Sequence, residues 1–320
     1  MVKKVINILL FCFAVLAADV LEAQQVPIFT NYSNSYAIIN PGYYGMSEGV
    51  NAMGLYRNQW TGFKDNVTGE VVSPVTFFAS ADLPIKVIGG GVGMSLMKDQ
   101  LGFEDNIGVN LGYSYHLDLG MGTLGIGLAF SFNNRSVDFS KAKPLNDNDP
   151  VIPKGSQSDM LFDFNFGLFY MVPETFYVAA STTSLLEAKG KALEGKASSS
   201  ASFVGDRTLY LAAGYEYHFD NPKFMLNPSM LILSDIASTQ FNIGSRLWYN
   251  NKFSFGVNYR YQESVDLLVG FVVKGVQVSY AYDINTMGLK LSGSHEVSVS
   301  YIFKLDLEKS PRIYRSIRYL

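Results

Sequence analysis

Between Ile107 and Leu117 the chain alternates strictly between large apolar residues and small or polar ones. Residues two apart in a β-strand point to the same face, so this segment predicts a strand with one apolar and one polar face. The same alternation would arise in a water-soluble barrel with an apolar core. Strand length, aromatic content and cellular compartment therefore have to decide what the apolar face meets. The apolar parity is formed by Ile107, Val109, Leu111, Tyr113, Tyr115 and Leu117.

Residues 1–23 indicate the compartment. Two lysines precede an apolar run over residues 5–18, and Leu21-Glu22-Ala23 stands before two glutamines. This pattern predicts a secretory signal peptide that is cleaved after Ala23, and the run is short for a membrane-spanning helix. Since Cys12, the only cysteine, lies inside it, the processed chain has no disulfide, cysteine-zinc site or cysteine nucleophile.

The composition excludes several classes of protein. A net charge of −3 argues against a nucleic-acid binder. Charged residues make up 17%, below the roughly 25% of soluble domains, whereas aromatic residues reach 14%. After the signal peptide no stretch of about 18 apolar residues occurs, so spanning helices are not expected. A secreted, aromatic-rich chain with alternating segments is typical of an outer-membrane barrel.

Alternating or extended aromatic segments recur along the rest of the chain. We predict an all-β fold, a transmembrane outer-membrane antiparallel β-barrel of about 14 strands over residues 50–305. The inward parity carries residues such as Arg260 and Glu296, which a closed apolar core would accept only at high cost. The predicted strands lie near 50–60, 74–83, 87–97, 103–117, 121–133, 159–172, 174–184, 206–219, 224–234, 238–249, 252–262, 264–273, 275–285 and 294–305.

Connection lengths support the barrel independently. Every second connection is tight, whereas the others include three long stretches at 61–73, 134–158 and 185–205. Short periplasmic turns that alternate with longer outer loops are the known asymmetry of such barrels, and this phase places both termini in the periplasm. Apolar residues such as Phe169 share the inward parity with Asp163. The lumen is therefore expected to be narrow and partly occluded.

Two loop-like motifs invite a ligand interpretation. Gly120–Gly125 has the spacing of a dinucleotide-binding loop, but a strand follows it where the chemistry needs a helix N-terminus. We interpret these glycines, and those of Gly89–Gly93, as facing a crowded barrel interior. The acidic run Asn146–Pro150 is compatible with a calcium ion or with a solvated turn. No cofactor is expected.

Catalysis is not predicted. His116 and His218 lie at the periplasmic ends of their strands, and His295 begins the last strand from the outer side. No segment places serine, histidine and an orienting polar residue at the same level along the barrel axis, within hydrogen-bond reach, as a hydrolase would need. An outer-membrane hydrolase stays only as a third alternative.

The carboxyl-terminal residues 306–320 have a basic character with interleaved aromatic and aliphatic residues. Arginine favours bidentate pairing with acidic groups, so the tail is a candidate docking segment for a periplasmic partner. The alternative is a frayed tail against lipid head groups or the barrel rim. The basic residues are Lys309, Arg312, Arg315 and Arg318.

An ordered set of motifs in the first third of the chain resembles the PorP/SprF family, outer-membrane proteins of the Bacteroidetes type IX secretion system. The family shows an Asn-Pro-Ala-Tyr-Ala-Gly run, an Arg-x-Gln-Trp run and a Pro-x-Thr. This chain departs from the first run with Gly42 and Tyr44 in place of the two alanines. The residues at these motif positions, Gly42 among them as a departure, are Asn40, Pro41, Gly42, Tyr43, Gly45, Arg57, Gln59, Trp60, Pro74 and Thr76.

The resemblance implies a role in export rather than catalysis. Family members link the periplasmic ring proteins, a lipoprotein and its partner, to the outer membrane, or support export and display of cargo such as gliding adhesins. An inner-membrane motor supplies the energy, so no nucleotide site is needed. The alternative function is a passive transporter of hydrophobic or small solutes, a class in which an amino-terminal hatch and an apolar pocket are common.

The physical expectations for the motif residues are as follows. Asn40 to Gly42 should form a turn within residues 24–49, which either fold into the lumen as a plug or lie beneath it. Arg57 and Gln59 share one face of the first strand and suit a hydrogen-bonded lumen network. Trp60 has the opposite parity and suits the aromatic girdle. Alternatively, these residues simply close the barrel.

Overall fold

The computed structural model describes residues 27–64, 69, 71–141, 155–190, 203–287 and 292–304. Three regions with sequence-based predictions lie outside these residues. They are the signal peptide at 1–23, the run Asn146–Pro150, and the tail with Lys309, Arg312, Arg315 and Arg318.

The described strands form one closed antiparallel sheet. β8 and β9 are one strand interrupted at Glu216, so the barrel has the fourteen strands that the sequence predicts. Closure is made by the first and last strands, which pair from Gly49 opposite Lys304 to Asn58 opposite His295. The strands are β1 (Gly49–Asn58), β2 (Val75–Ile85), β3 (Gly90–Leu101), β4 (Glu104–Leu119), β5 (Gly122–Asp138), β6 (Ser156–Val172), β7 (Phe176–Thr183), β8 (Thr208–Tyr215), β9 (Tyr217–His218), β10 (Phe224–Ser234), β11 (Thr239–Tyr249), β12 (Phe253–Arg260), β13 (Ser264–Val273), β14 (Val276–Asn285) and β15 (Ser294–Lys304).

The barrel turns its apolar parity outward. In β12, Phe255 is 60% exposed whereas Arg260 is 1% exposed. In β4, Ile107, Leu111 and Tyr115 are exposed as well. A water-soluble protein buries phenylalanine and exposes arginine, and this barrel does the reverse. The reversed arrangement suits a barrel that has lipid outside and a polar lumen inside. This settles the question that the alternation alone leaves open. In the described part of the chain, no helix has the length and apolar character needed to cross a membrane.

The two rims of the barrel differ. One rim, here the short-turn rim, carries tight connections such as Lys274-Gly275 between β13 and β14. Both residues of that turn have positive φ, 51° and 83°, as a two-residue hairpin turn requires. The opposite rim, here the long-loop rim, carries the connections 59–74, 139–155 and 184–207. The sequence-based alternation of connection lengths is therefore present in the structure.

Three neighbouring strands extend past the membrane. β4, β5 and β6 have 16, 17 and 17 residues, more than the 9–11 that a tilted spanning strand needs. Their additional residues lie at the long-loop rim, where Arg135 of β5 pairs with Glu104 of β4 at 2.6 Å. The guanidinium also lies 5.9 Å from the ring of Phe203. This rim is thus raised on one side.

Residues 27–48, here the plug, run inside the barrel. They form three short helical turns, Tyr32–Asn34, Tyr36–Ile39 and Pro41–Tyr43. The first described residue, Pro27, lies beside Leu233 in the long-loop half, and the plug leaves the lumen at the short-turn rim to begin β1. The apolar side chains of the plug pack against apolar lumen residues. Of the two positions considered for residues 24–49, in the lumen or beneath it, the described residues 27–48 lie in the lumen.

Candidate functional site

Ionisable side chains from five strands meet inside the long-loop half of the lumen. Arg57 of β1 donates to Asp283 of β14 at 2.7 Å and to Glu296 of β15 at 3.1 Å. All three side chains are almost fully buried. Because β1 pairs with β15, Arg57 stands directly opposite Glu296 across the closing seam. The ion pairs therefore join the first and last strands of the barrel.

A second arginine completes this group. Arg260 of β12 donates to Glu263 at 2.7 Å and lies 3.9 Å from Asp266 of β13. We call Arg57, Arg260, Asp266, Asp283 and Glu296 the charged cluster. It sets three buried carboxylates against two buried guanidiniums. Buried carboxylates without enough cations or donors are costly, so further hydrogen-bond donors are needed.

The plug supplies those donors. The backbone N–H groups of Thr30 and Asn31 donate to the two oxygens of Glu296, each at 2.8 Å. The Thr30 hydroxyl donates to Asp283 at 2.7 Å and accepts from Arg57 at 2.9 Å. The Thr30 carbonyl accepts from Asn258 at 2.8 Å. The plug and the charged cluster thus satisfy each other, and neither is complete alone.

Asn31 fastens the plug to three further strands. Its amide nitrogen donates to Ser298 at 2.7 Å and also to Ser279. Its amide oxygen accepts from Arg246 at 2.5 Å. The side chain of a single plug residue therefore links β11, β14 and β15.

Aromatic rings hold the middle of the plug. The ring centroid of Tyr36 lies 5.3 Å from that of Phe169 and 5.0 Å from that of Tyr177, and the two tyrosine hydroxyls share a hydrogen bond. Burial raises the pKa of Tyr36 well above its usual value, and burial with the nearby carboxylate of Asp82 raises that of Tyr43 to about 12. These phenols therefore remain neutral at physiological pH. The surrounding apolar group comprises Tyr32, Ala179, Tyr210, Ala212, Leu231 and Leu233.

The Asn40–Gly45 turn lies against the opposite wall. The Asn40 side chain accepts from the N–H of Gly42 at 2.8 Å and donates to the Leu168 carbonyl at 3.0 Å. Pro41 occupies the first position of the helical turn, where its missing N–H costs nothing. The family motif therefore forms a capped turn that is fixed to β6.

Glycines in the barrel wall allow this close approach. A Cβ on Gly127 would lie 2.2 Å from the Pro41 carbonyl carbon, and one on Gly125 would lie 2.0 Å from the Gly42 oxygen. One on Gly167 would lie 2.0 Å from the Asn40 side chain. The structure agrees with the crowded-interior interpretation for Gly125, and β5 continues through Gly122 and Gly125. Gly120 instead lies in the turn before β5 with φ +65°, and a Cβ there would meet no atom within 4 Å.

A second set of polar contacts holds the plug where it leaves the lumen. Gly45 adopts φ +72°, and its N–H donates to Asp82 at 2.9 Å. Asn51 donates to the other oxygen of that carboxylate at 3.0 Å. His116 donates from Nε2 to the Tyr44 carbonyl at 2.9 Å. The backbone of the last plug residues is thus held from two strands, β2 and β4, and Asn51 of β1 supports the carboxylate of Asp82.

The remaining motif residues surround the start of the first long loop. Gln59 follows β1 and donates from its backbone to the Pro74 carbonyl at 2.9 Å, and no described hydrogen bond of its side chain enters the lumen network. Trp60 adopts φ +49° and lines a small cavity beside the charged cluster. Thr76 is buried and donates to Asp99 at 2.6 Å. The girdle role of Trp60 remains a prediction.

Several residues of this site were not predicted from the sequence. Asp266 and Asp283 lie on the inward parity of their strands, a signal that the alternation could have provided. Thr30 and Asn31 carry no such signal, because their contacts depend on the path of the plug through the lumen. Within the described residues, no group of three or more histidine, cysteine or acidic side chains is arranged to hold a metal ion.

These features define a class of protein. The chain is an outer-membrane β-barrel whose lumen is occupied by a segment that precedes its first strand. Residues 21–301 match the family model described as type IX secretion system membrane protein PorP/SprF, and the chain belongs to this family. The resemblance seen in the sequence motifs is thereby confirmed. A search of curated proteins finds no match to the chain.

Solved structures with the same fold are outer-membrane proteins of distant sequence. The toluene transporter TbuX of Ralstonia pickettii shares 12% identity at a TM-score of 0.50, over 83% of this chain and 92% of that one. The toluene transporter TodX of P. putida shares 13% at 0.50, over 84% and 94%. A TodX deltaS2S3 mutant, a monoaromatic hydrocarbon channel, shares 12% at 0.51, over 85% and 94%. At these identities the similarity concerns the fold alone.

Proposed function

We propose that this protein is an outer-membrane component of the type IX machine. In this role it links the periplasmic ring lipoprotein and its partner to the outer membrane, and it supports export and display of cargo such as adhesins. Family membership over residues 21–301 carries this proposal. The plug also supports it, because the plug is bonded to the wall from both ends and a barrel used as a support needs no open lumen.

The orientation that we propose puts the short-turn rim in the periplasm. On that rim the plug ends and the last strand finishes side by side, with Gly49 opposite Lys304 and an exposed ion pair of 3.4 Å between Lys304 and Glu48. The basic tail follows directly in sequence. A periplasmic partner held by the tail would therefore stand next to the point where the plug enters β1.

Deletion of the gene is expected to abolish surface export of at least one cargo that bears the carboxyl-terminal sorting domain of the system. The physical reason is that the ring proteins would lose their attachment to the outer membrane. Quantitative proteomics of the cell surface and medium measures this, with a plasmid copy of the gene as the rescue control. Loss of all cargo would indicate a general component, and loss of one adhesin a dedicated partner. Unchanged export in a strain without another family copy would contradict the proposal.

Removal of residues 309–320 is expected to lower copurification of the ring proteins severalfold and to leave the barrel folded. Without the four basic side chains, acidic partner groups lose their bidentate donors. Affinity purification from outer membranes measures recovery, and heat-modifiable gel mobility checks folding. A matched variant changes the same four residues to serine and keeps the length of the tail. Equal recovery of partners with the full and the shortened tail would refute the docking role.

Passive transport of hydrophobic or small solutes is the second candidate. A cavity between the plug and the short-turn rim favours it, since small-solute carriers need an internal site. The bonded plug argues for a closed lumen instead. Solute uptake by liposomes that contain the purified protein separates the two functions.

A further inference from the structure

The lumen contains a cavity of about 240 Å³ between the plug and the short-turn rim. This is slightly below the range of about 300–1,000 Å³ that ligand pockets usually have. Ser33 and Asn34 of the plug form one side, and residues of β7, β8, β10, β11 and β12 form the other. Trp248 and Tyr177 provide aromatic surface, and Arg246 provides a positive charge.

Arg246 lacks an acidic partner within the described residues. It is only 7% exposed, and its one described hydrogen bond goes to the neutral amide oxygen of Asn31. A buried guanidinium without a counter-ion is costly, so an anion in the cavity would be stabilised strongly. The other described arginines each have a carboxylate within 4 Å; they are Arg57, Arg135, Arg207 and Arg260.

Two further polar atoms of the cavity have no described partner. The side-chain oxygens of Asn227 and Ser245 are buried, and neither makes a hydrogen bond to a described residue. Buried polar groups in proteins are normally satisfied by protein, water or ligand. Asn227 stands opposite Arg246 in the β10–β11 pair, whereas Ser245 has the parity opposite to that of Arg246 and lies where the cavity meets the outer face of the wall. The rest of the lining mixes the aromatic residues with polar ones, among them the carboxylate of Glu216.

The barrel wall is thin beside this cavity. β10 pairs with β8 from Ser229 onward and with β9 up to Leu226, so Asn227 and Pro228 have no partner on that side. Pro228 has no N–H to donate, and the N–H of Glu216 donates to the Thr175 carbonyl instead. At Asn227 and Pro228 no ladder hydrogen bond therefore joins β10 to β8 or β9, although both residues pair with β11 on their other side.

An apolar groove of about 730 Å³ lies on the lipid-facing side of the same wall. Val178, Met230 and Ile243 line it with exposed side chains. The groove and the inner cavity share five residues, which places them back to back: Tyr177, Tyr215, Pro228, Ser229 and Ser245.

We propose that the cavity binds the carboxylate of a single-chain amphiphile, with the carboxylate on Arg246 and the apolar chain passing over Pro228 into the lipid-facing groove. Charge complementarity selects the head group, and the groove selects the chain. The site is independent of the secretion role proposed above, and it would make the barrel responsive to free fatty-acid-like lipids in its own membrane.

Fluorescence quenching tests this site. In a Trp60→Phe variant, Trp248 is the single tryptophan of the chain. Titration of this protein in lipid nanodiscs with 12-bromododecanoate is expected to quench Trp248 saturably. The neutral analogue 12-bromododecanol should bind about tenfold more weakly or less, as expected for loss of a charged hydrogen bond. Equal quenching by the acid and the alcohol would overturn the proposal.

Variants locate the head group and the chain separately. Arg246→Met should weaken dodecanoate binding about tenfold or more, Arg246→Lys should retain part of it, and Arg207→Met, which changes an arginine outside the cavity, should have no effect. Because Arg246 also holds Asn31, a second variant leaves the plug contacts intact. Ser245→Phe should fill the thin wall and block dodecanoate but spare 4-bromobenzoate. Binding of bromobenzoate without binding of dodecanoate in the Trp60→Phe protein would exclude the amphiphile.

Discussion

Replacement of Arg57 by methionine is expected to destabilise the plugged barrel by about 3–5 kcal/mol, the usual cost of removing one partner from a buried ion pair. Methionine fills similar space, but it leaves Asp283 and Glu296 without their ion-pair partner and removes the shorter of two arginine hydrogen bonds to the Thr30 hydroxyl. The plug should therefore detach from the charged cluster more often. Denaturant titration in detergent measures stability, and protease cleavage within residues 27–48 reports plug release.

Two variants make the Arg57 result specific. Arg207→Met removes a partly exposed arginine, 35% exposed, whose pair with Glu187 is 3.7 Å long, so it should cost less than about 1 kcal/mol. Arg57→Lys keeps the charge but cannot present the planar guanidinium fork that serves both carboxylates, so an intermediate loss is expected. Equal stability of Arg57→Met and Arg207→Met would show that the charged cluster does not hold the plug.

Replacement of Gly127 by valine is expected to expel the Asn40–Gly45 turn from the wall. A Cβ at this position lies 2.2 Å from the Pro41 carbonyl carbon and 2.3 Å from the Gly42 nitrogen. Both are backbone atoms, which cannot rotate away as the end of a side chain could. The barrel strands themselves should still form, because valine favours strands. The expected phenotype is a folded barrel with an exposed plug and stepwise ion conductance in planar bilayers.

Gly54→Val is the matched control for Gly127→Val. Gly54 is also a strand glycine, but a Cβ there meets no atom within 4 Å, and its parity in β1 faces outward. This variant should retain native stability and protease resistance. If Gly127→Val behaved in the same way, the turn would not be pressed against β5 as described.

The fold could be predicted from the sequence because lipid imposes a simple rule on strands. Alternation such as that of Ile107 to Leu117 predicts a two-faced strand and leaves one question open, namely whether the apolar face points outward or into the barrel. The predicted signal peptide, the aromatic content and the inward charges Arg260 and Glu296 indicated that the apolar face meets lipid. One local detail was not predicted: the strand is interrupted at Glu216, between β8 and β9. The N–H of Glu216 donates to the Thr175 carbonyl.

The site was predictable only in part. Parity placed Arg57 inside the barrel, but its partners Asp283 and Glu296 lie more than 200 positions away and meet it only when the first strand closes on the last. The prediction that Gln59 joins the lumen network was unreliable because Gln59 lies one residue beyond β1, where the alternation of faces no longer applies. Nothing in the sequence pattern specified the route of the plug, because the plug has no regular period. Its contacts with side chains of many separate strands form only after the barrel closes.

The plug connects the structure with the proposed role in secretion. It is bonded to the charged cluster in the long-loop half and to Asp82 near the short-turn rim, where it enters β1. A partner that pulled on this rim would act on the segment that fills the lumen. Whether the lumen of the native protein is closed is therefore the central question.

Ion conductance of the purified wild-type protein in planar lipid bilayers tests this most directly. The bonded plug predicts a silent barrel, with steps of conductance only after a change such as Gly127→Val. A steady open-channel conductance of the wild-type protein, equal to that of the valine variant, would contradict a closed lumen and favour a passive transporter.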